Sequence, residues 1–426
     1  MTRKHDRPTI FTGRPAVSNL RKSNSPYWLQ TTPAVAFRPD FAYLRVVLPV
    51  YFDYNATTPL DPAVKAVMLP YLDEIYGNPS SVHQIGVRAR AHLDEQRDRL
   101  AHLCGSKPSE IVFTSGGTES NNLAIFGVAR TLKAKGRHLI TSSIEHHAAL
   151  HCFQYLAKKE GFAVTYLPVD ASGRISPDDL AKAIRPDTIL VSLMAANNET
   201  GTIQPVAELG ALCQEHGVLF HTDAAQWFGK EPFIDIRQFN ANLVSICAHK
   251  FHGPKGSGAL YIQSPLLPDP IIFGGGHENE RRAGTENLPA IAGLVEAFTR
   301  FIPTPVFDRK QLQPLTERLL NGCLAIPGVH FRGSAAHRLA NTISFTVEGC
   351  DGISLMAGLD LESICASSGS ACSAGSLEPS HVMTAMGVDP RQANALVRFS
   401  LGKASTLEEV EHVIARFPEV VMRIRP

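Results

Sequence analysis

Short apolar runs alternate with helical patterns from residue 110 onward. The runs are four to seven residues long, as buried strands are, and they lie at 111–114, 138–142, 164–169, 188–194, 218–221, 243–247 and 259–262. Helical periodicity separates many of them, for instance at 119–135, 177–184 and 206–216. This alternation predicts an α/β fold with a mainly parallel seven-stranded sheet that binds ligands at the carboxyl ends of its strands.

The pattern changes after the Gly274-Gly275-Gly276 turn and a helix at 287–301. Beyond this point the sequence predicts further helices and strands near 310–325, 342–347, 397–400 and 407–416. These elements indicate a smaller α+β unit. We therefore expect a large domain at residues 64–301 and a small domain made of 50–63 and 302–426.

Residues 1–49 differ from the rest of the chain. They hold eight Lys/Arg and two Asp, a net charge of +6, whereas the remaining chain carries −5. A basic, acid-poor leader resembles an organelle transit peptide, but six prolines interrupt the amphipathic helix that such peptides form. We expect a disordered leader, with a transit peptide and a start codon assigned too far upstream as open alternatives.

The composition is that of an ordinary soluble globular protein, with 44% hydrophobic and 19% charged residues. The net charge of +1 gives no reason to expect nucleic acid or membrane as a partner, and no apolar run could span a bilayer. The eight cysteines have neither zinc-site spacing nor disulfide density, so we expect no metal and a reducing compartment. That compartment is the cytoplasm, or an organelle matrix if the leader is a transit peptide.

Lys250 is the first candidate for chemistry. The apolar run 241–247 delivers it into a turn rich in glycine and proline, where its amine can project into a cleft. A lysine shielded from water and placed near other cations has a lowered pKa. Its neutral amine can form a Schiff base with an aldehyde such as pyridoxal phosphate.

Polar clusters follow several other predicted strands. Gly117 and Thr118 open a helix and suit a phosphate, while Asp223 is placed to pair with a protonated pyridine nitrogen. His146 is placed to stack on a cofactor ring and move a proton, and Asn198 to donate to the cofactor or substrate. Taken alone, each such residue is more often an ordinary cap or a satisfied polar group. Their joint position at strand ends, together with Lys250, favours a cofactor site.

Cys372 lies in a run of small residues at 366–380 that shows no apolar period. Such a run predicts a flexible loop and not a core segment. We therefore expect an exposed thiol on a mobile arm, which suits a nucleophile that travels between a cofactor and a partner.

These residues together resemble the cysteine desulfurases of the nitrogen-fixation and iron-sulfur assembly type, which depend on pyridoxal phosphate. The resemblance covers nearly all of the chain beyond the leader. It rests on DYNATTP at 53–59, GNPSS at 77–81, TSGGTES at 114–120, NNE at 197–199, HK at 249–250, RAGTEN at 282–287 and SSGSAC at 367–372. The order and joint presence of these segments make the match specific.

The resemblance implies a fold-type-I transferase of the class-V aminotransferase kind that works as a homodimer. In that family's arrangement Lys250 holds the cofactor, Asp223 pairs with the pyridinium, and His146 stacks on the ring. The phenolic oxygen would be contacted by Gln226. The other implied roles are phosphate binding by Gly117, Thr118, His249, Cys247 and, from the neighbouring subunit, Thr285, and binding of the substrate carboxylate by Arg398 with Asn198.

The reaction implied is conversion of L-cysteine to L-alanine, with Cys372 taking the sulfur as a persulfide for an acceptor or iron-sulfur scaffold protein. The chain departs from the family at Cys247, where Ser or Thr is usual, so we expect the phosphate to be held less firmly. The chain ends soon after its last predicted helix, so we expect it to lack the tail through which housekeeping relatives contact their scaffold.

Three alternatives stay open at this point. A selenocysteine lyase has nearly the same cofactor motifs, although the long loop of small residues favours the desulfurase. Another lyase or aminotransferase reaction on pyridoxal phosphate would not need Cys372. A non-catalytic scaffold that retains the fold would not need Lys250, Asp223 and His146 together.

Overall fold

We describe the protein from a computed structural model in which residues 49–369 and 379–426 are described. The leader and Cys372 therefore lie outside the described residues. The strands in chain order are β1 (Val50–Tyr51), β2 (Ile111–Thr114), β3 (His138–Ser142), β4 (Ala163–Leu167), β5 (Thr188–Ser192), β6 (Leu219–Asp223), β7 (Leu243–Cys247), β8 (Gly258–Ile262), β9 (Val329–Arg332), β10 (Thr342–Val347), β11 (Ile364–Cys365) and β12 (Leu396–Ser400).

A seven-stranded sheet in the order β2-β8-β7-β6-β5-β3-β4 forms the centre of the molecule. Only β8 runs antiparallel to its neighbours, so the prediction of a mainly parallel sheet is confirmed. Strands β2, β3 and β7 begin and end where the sequence places them. Strand β6 runs two residues further than predicted, because Asp223 still pairs with Ser245 of β7.

The helices pack mainly around this sheet and around a second, three-stranded sheet in the order β12-β10-β9. In chain order they are α1 (Pro62–Met68), α2 (Pro70–Asp73), α3 (Gln84–Cys104), α4 (Gly117–Leu132), α5 (His147–Glu160), α6 (Pro177–Ala183), α7 (Val206–Glu215), α8 (Leu288–Phe301), α9 (Arg309–Leu324), α10 (Gly352–Leu361), α11 (His381–Ala385), α12 (Pro390–Ala393) and α13 (Leu407–Ile424).

Proline explains one difference from the predicted helices, and burial explains another. The sequence pattern at 62–72 predicts a single helix, but the structure divides it into α1 and α2, because Pro70 has no N–H to continue the hydrogen-bond ladder. Helix α13 instead continues past Pro418 to Ile424, beyond its predicted end at 416. Its apolar face stays buried along this extension at Phe417, Val420 and Val421, so packing compensates for the missing backbone bond.

Two hydrophobic regions matter for the position of the site. One lies against the seven-stranded sheet and contains Val244, Ile246 and Phe251. The other surrounds the three-stranded sheet β12-β10-β9 and includes Phe52, whose ring packs edge-to-face on Phe399 with centroids 6.4 Å apart. The segment after β1 therefore joins a core built mostly from residues after 306. The boundaries of the two domains themselves stay a prediction.

Within residues 49–369 and 379–426, no helix combines the length and the apolar character that crossing a bilayer requires.

Candidate active site

A cavity of about 500 Å³ lies at the carboxyl ends of the parallel strands, where the alternating pattern places a ligand. Its walls come from the turns after β2, β3, β5, β6 and β7, from the segment after β1, and from β12. The cavity brings together ten residues to which the sequence assigns a role: Gly117, Thr118, His146, Asn198, Asp223, Gln226, Cys247, His249, Lys250 and Arg398.

Lys250 enters the cavity from a short 3₁₀ turn that directly follows the buried strand β7. Its Nζ donates to the backbone oxygens of Asn55 at 2.7 Å and Ala56 at 2.8 Å. Burial lowers the pKa of this amine from its ordinary value, although nearby acidic groups and a thiol partly oppose the shift. The amine therefore loses its proton more readily than a solvated lysine and can act as a nucleophile.

Asp223 is the last residue of β6 and is 7% exposed. Its Oδ1 accepts from the N–H of Ala225 at 2.9 Å, and its Oδ2 accepts from Asn121 Nδ2 at 2.6 Å. Two donors thus hold the carboxylate in one orientation as an acceptor for a cationic group. The sequence analysis gives no role to Asn121, which α4 presents one turn after Gly117, a spacing that can be read from the sequence.

Helix α4 begins beside the cavity. Its N-cap, Gly116, has a φ of 146° and supplies no side-chain cap, so the first N–H groups of the helix are available to an anion. A Cβ on Gly258 would come within 2.7 Å of the Gly116 Cα, so β8 passes directly behind this turn. The Sγ of Cys247 lies 3.7 Å from the place that a Cβ of residue 117 would take. We call this turn, residues 116–118, the cradle; all three of its residues border the cavity.

Two ionisable groups beside this cradle are neutral. Burial raises the pKa of the Cys247 thiol, which leaves it a weak hydrogen-bonding group at the place where the family usually has a hydroxyl. Burial lowers the pKa of His249 to about 3, and the neighbouring Lys250 and Lys255 contribute to the shift. The His249 ring lies with its Nδ1 3.1 Å from Thr57 Oγ1.

His146 is the N-cap of α5 and lines the cavity. Its Nδ1 accepts from the N–H of Ala148 at 3.1 Å. In a neutral imidazole this arrangement assigns the ring proton to Nε2. Burial lowers the pKa of His146, opposed by Asp223 and aided by Lys250. The ring is therefore a neutral group near neutral pH, and it lies where a proton can be exchanged with a bound ligand.

Arg398 lies on β12 and is 1% exposed. Its Nη2 donates to Asp53 Oδ1 at 2.6 Å, and its Nη1 donates to the backbone oxygen of Asn198 at 2.8 Å. The Nε has no hydrogen-bond partner within the described part of the chain. Asp53 and Asn198 thus fix the plane of a buried guanidinium that retains unused donors for a carboxylate.

Both ends of the segment 370–378, which contains Cys372 and lies outside the described residues, adjoin the cavity. On one side Ser367 exchanges two backbone hydrogen bonds with Arg398, at 2.7 and 3.2 Å. On the other side Ser380 Oγ donates to Glu199 Oε2 at 2.5 Å. The position of Cys372 itself stays a prediction.

Thr285 does not line the main cavity on its own chain. It borders a smaller cavity of about 140 Å³ together with Arg282 and Glu286. Ser115 and Gly256 border both cavities, so the two lie on either side of one turn. The expectation that Thr285 reaches the phosphate of a neighbouring subunit stays a prediction.

Asn55 lines the cavity and Lys230 lies behind it, and neither residue has a role predicted from the sequence. The Asn55 backbone oxygen accepts from Lys250 and from Gln226 Nε2, the latter at 3.0 Å. Its side-chain Oδ1 accepts from Lys230 Nζ at 2.6 Å. A signal for Lys230 exists in the sequence, because a lysine that follows Trp227-Phe228-Gly229 stands among large apolar residues.

Comparison with known proteins gives two kinds of match. Residues 50–413 match the family model of class-V aminotransferases. The cysteine desulfurase IscS of Methanosarcina thermophila is 48% identical over 376 residues, which are 88% of this chain and 93% of that protein. The similarity therefore spans the whole cavity and both hydrophobic regions.

Solved structures agree with this similarity. A NifS-like protein superposes with a TM-score of 0.82 at 38% identity, covering 88% of this chain and 100% of that chain. SspA in complex with cysteine superposes with a TM-score of 0.74 at 39% identity, covering 84% and 100% of the two chains. At these identities and coverages the likeness spans most of the chain.

Proposed function

Since the chain belongs to the class-V aminotransferase family, and within it to the cysteine desulfurases, we propose that it converts L-cysteine to L-alanine and carries the sulfur on Cys372. The family resemblance seen in the sequence is thereby confirmed. The observation that carries the proposal is the single cavity that joins Lys250, Asp223, His146 and Arg398.

The residues present fit pyridoxal phosphate. The uncapped start of α4 suits its phosphate, the doubly held Asp223 suits its ring nitrogen, and Lys250 is an amine whose pKa burial lowers. Gln226 borders the same space with an amide suited to the phenolic oxygen. When bound, the cofactor supplies an aldehyde for amine exchange and a cationic ring that withdraws electrons.

The protein's own groups would orient the reaction and move protons. Lys250 Nζ would hold the cofactor and, as an amine whose pKa burial lowers, could act as a base in the cavity, and in a neutral His146 ring the proton is on Nε2. Asp223 would pair with the ring nitrogen, while Asn121 and the Ala225 N–H keep its carboxylate in place.

Arg398 is the proposed carboxylate site. Asp53 neutralises part of its charge, so an incoming carboxylate must share the guanidinium with this residue. The amino acid is thereby held at its α-carboxylate, and its side chain is left free to meet the segment that Ser367 and Ser380 bracket. The cysteine bound in the SspA structure supports cysteine as the substrate.

The sulfur step balances without an external oxidant. The Cys372 thiolate attacks the sulfur of the bound L-cysteine, so that an S–S bond forms and the Cβ–S bond breaks. The electron pair of the broken bond stays with the three-carbon fragment, which takes up protons and leaves as L-alanine. The persulfide on Cys372 is then handed to a thiol of an acceptor protein, which we expect to serve iron-sulfur cluster assembly or another sulfur-transfer route.

The oligomeric state and the cellular compartment of the protein are proposed by analogy with its family. We propose a homodimer in which Thr285 of each chain reaches the phosphate of the other, because Thr285 borders a cavity that abuts the cofactor cradle. The seven cysteines within the described residues are free thiols, which supports a reducing compartment such as the cytoplasm or an organelle matrix.

Mass spectrometry tests the proposal. After incubation with L-cysteine we expect one extra sulfur on the peptide that contains Cys372, together with alanine in the medium. Cys372→Ser should bind pyridoxal phosphate with the absorbance of the unaltered protein and form no persulfide. Alanine produced at the full rate by Cys372→Ser would contradict the assignment and favour another pyridoxal phosphate reaction, and selenocysteine as the only productive substrate would favour a lyase.

A further inference from the structure

Lys230 is a buried lysine whose amine has no carboxylate partner. The residue is 2% exposed. Its Nζ donates to Asn55 Oδ1 at 2.6 Å and to Gln226 Oε1, and no ion pair of Lys230 occurs in the described ranges 49–369 and 379–426. The amine lies 5.3 Å from the centroid of the Phe307 ring. An amine in this position is expensive to bury, so its presence calls for a reason beyond packing.

The free-energy cost of burying this amine is lower when the amine is neutral. Burial lowers the pKa of Lys230 well below its ordinary value, and the nearby cations Lys250 and Arg398 contribute. A neutral amine keeps two N–H bonds, and the structure provides two amide oxygens to accept them. Both N–H bonds of the neutral Lys230 amine therefore have an acceptor without a carboxylate. Because these acceptors are oxygens, the Asn55 and Gln226 amides must each turn their oxygen, and not their nitrogen, toward Lys230.

The orientation of the Gln226 amide links Lys230 to the active site. Because Gln226 Oε1 faces Lys230, its Nε2 points the other way and donates to the Asn55 backbone oxygen at 3.0 Å. The same oxygen accepts from Lys250 Nζ at 2.7 Å. The second N–H of the Gln226 amide is left for the cavity that Gln226 borders. Among the described residues Lys230 does not itself border this cavity.

We propose that Lys230 is a positioning residue that holds the amides of Gln226 and Asn55 so that Gln226 presents an N–H to the cofactor's phenolic oxygen. This inference rests on the proposed function and goes beyond it. Without Lys230, the Gln226 amide is free to turn and present its oxygen instead. Loss of the N–H donor destabilises the form of the lysine-bound cofactor with the greater negative charge on that oxygen.

If Lys230 served only to stabilise the fold, replacing it would lower the stability and leave the bound cofactor unchanged. Lys230→Met keeps an apolar side chain of similar length beside Phe307, but it leaves two buried amide oxygens without this donor, which lowers the stability modestly. In a chain of this length, such a loss lowers the melting temperature by only a few degrees. The main effect of the substitution should therefore appear in the cofactor.

A double-mutant cycle with Lys230→Met and Gln226→Ala tests the proposal. The readout is the pH midpoint of the absorbance change of the lysine-bound cofactor without substrate, measured beside the dissociation constant of pyridoxal phosphate and the values of kcat and KM. Lys230→Met should raise the midpoint by about half a unit or more and lower kcat by about tenfold, with a smaller change in KM. In the Gln226→Ala background, Lys230→Met should add little.

The outcomes separate the inference from the proposed function. A protein that takes up no pyridoxal phosphate would overturn both. An unchanged midpoint in Lys230→Met, or effects of the two substitutions that simply add, would overturn this inference alone and leave desulfurase activity standing. If Lys230→Met does not fold, Lys230→Gln gives the same readout with one amide donor retained. Lys182→Met is the matched control, since its side chain is 77% exposed, and it should match the unaltered protein.

Discussion

Buried ionisable side chains in two parts of this protein have opposite surroundings. Behind the residues that line the cavity, Lys230 and Glu145 are buried without an opposite charge in contact within the described residues. Under the turn at residues 276–286, Glu278 is 4% exposed and forms a two-pronged ion pair with Arg97, at 2.6 and 2.8 Å. The N–H of Phe113 donates to the same carboxylate at 2.9 Å.

The paired side chains hold segments of the fold together, whereas an unpaired buried group is able to exchange a proton. The pair between Arg97 and Glu278 joins segments that are far apart in the chain, so it holds the turn to α3 and β2. Burial without a charged partner shifts a pKa instead, and it raises the pKa of Glu145 to about 8. Glu145 can thereby change charge near neutral pH, next to the cavity residue His146.

The largest effect is expected at the cavity and should leave the fold intact. Lys250→Ala removes the only amine whose Nζ contacts the Asn55 and Ala56 carbonyls in the described chain. We expect the absorbance of lysine-bound cofactor to disappear and alanine formation from cysteine to fall by about 10³-fold or more, with thermal stability nearly unchanged. Borohydride reduction and peptide mapping of the unaltered protein should place the cofactor on Lys250.

Cofactor trapped on Lys230 instead of Lys250 would reverse the roles assigned to the two lysines. Lys182→Ala, which removes an exposed amine, serves as the control and should retain full activity.

The next effect concerns the paired region and should be one of stability. Glu278→Ala leaves the Arg97 guanidinium, whose side chain is 11% exposed, without its carboxylate. We expect the free energy of unfolding to fall by about 3–5 kcal/mol, measured by denaturant titration.

The matched control is Glu411→Ala, because Arg318 and Glu411 form an equally two-pronged pair in which both side chains are 45% exposed. It should change stability by about 1 kcal/mol or less. Equal losses in the two variants would show that burial does not distinguish the pairs.

Glu145 gives a pH-dependent test of the unpaired region. Its Oε1 accepts from Ser142 Oγ at 2.6 Å and from the Met194 N–H at 3.1 Å, but burial outweighs these bonds and raises its pKa to about 8. An unfolded chain loses this proton near pH 4.3, whereas the folded chain keeps it to about pH 8. The folded state binds more protons in this window, so this group's contribution to stability is lost as pH rises from about 5 to about 8.

Glu145→Gln should remove this part of the pH dependence. The difference between the two stability curves isolates Glu145, because buried imidazoles such as His221 titrate in both proteins. Parallel curves for the two proteins between pH 5 and pH 8 would show that Glu145 is ionised in the fold.

The smallest effect concerns backbone strain in the paired region. Glu280 has a φ of 64° in a run with Glu278 and Asn279, which also have positive φ values. This left-handed conformation is costly for a residue with a Cβ, so Glu280→Gly should stabilise the protein by about 1 kcal/mol in thermal or denaturant unfolding. Glu95→Gly in the exposed middle of α3 is the control and should destabilise by about the same amount. A loss of stability in both variants would mean that the turn is not strained.

The sequence predicts the sheet well and the helix ends less well. Strands β2, β3, β7 and β10 begin and end where the sequence places them, because each is buried on both faces and consists mainly of apolar and small hydroxyl residues. Helix α13 extends past Pro418 because its apolar face has a place to pack, and that place is made by residues far away in the chain. Local pattern alone therefore sets its end too early.

The chain by itself determined which residues stand at strand ends, and hence that Lys250, Asp223, His146 and Gly117 meet at one edge of a parallel sheet. Periodicity and turn chemistry are local properties, and they are sufficient for this. Only the tertiary structure decided that Asn55 and Lys230, 175 positions apart, share a hydrogen bond beneath them. Such a contact depends on how β1 and the segment after it close over the sheet, and it leaves no period or spacing in the sequence. Long-range packing therefore selects which amide and which amine support the catalytic lysine.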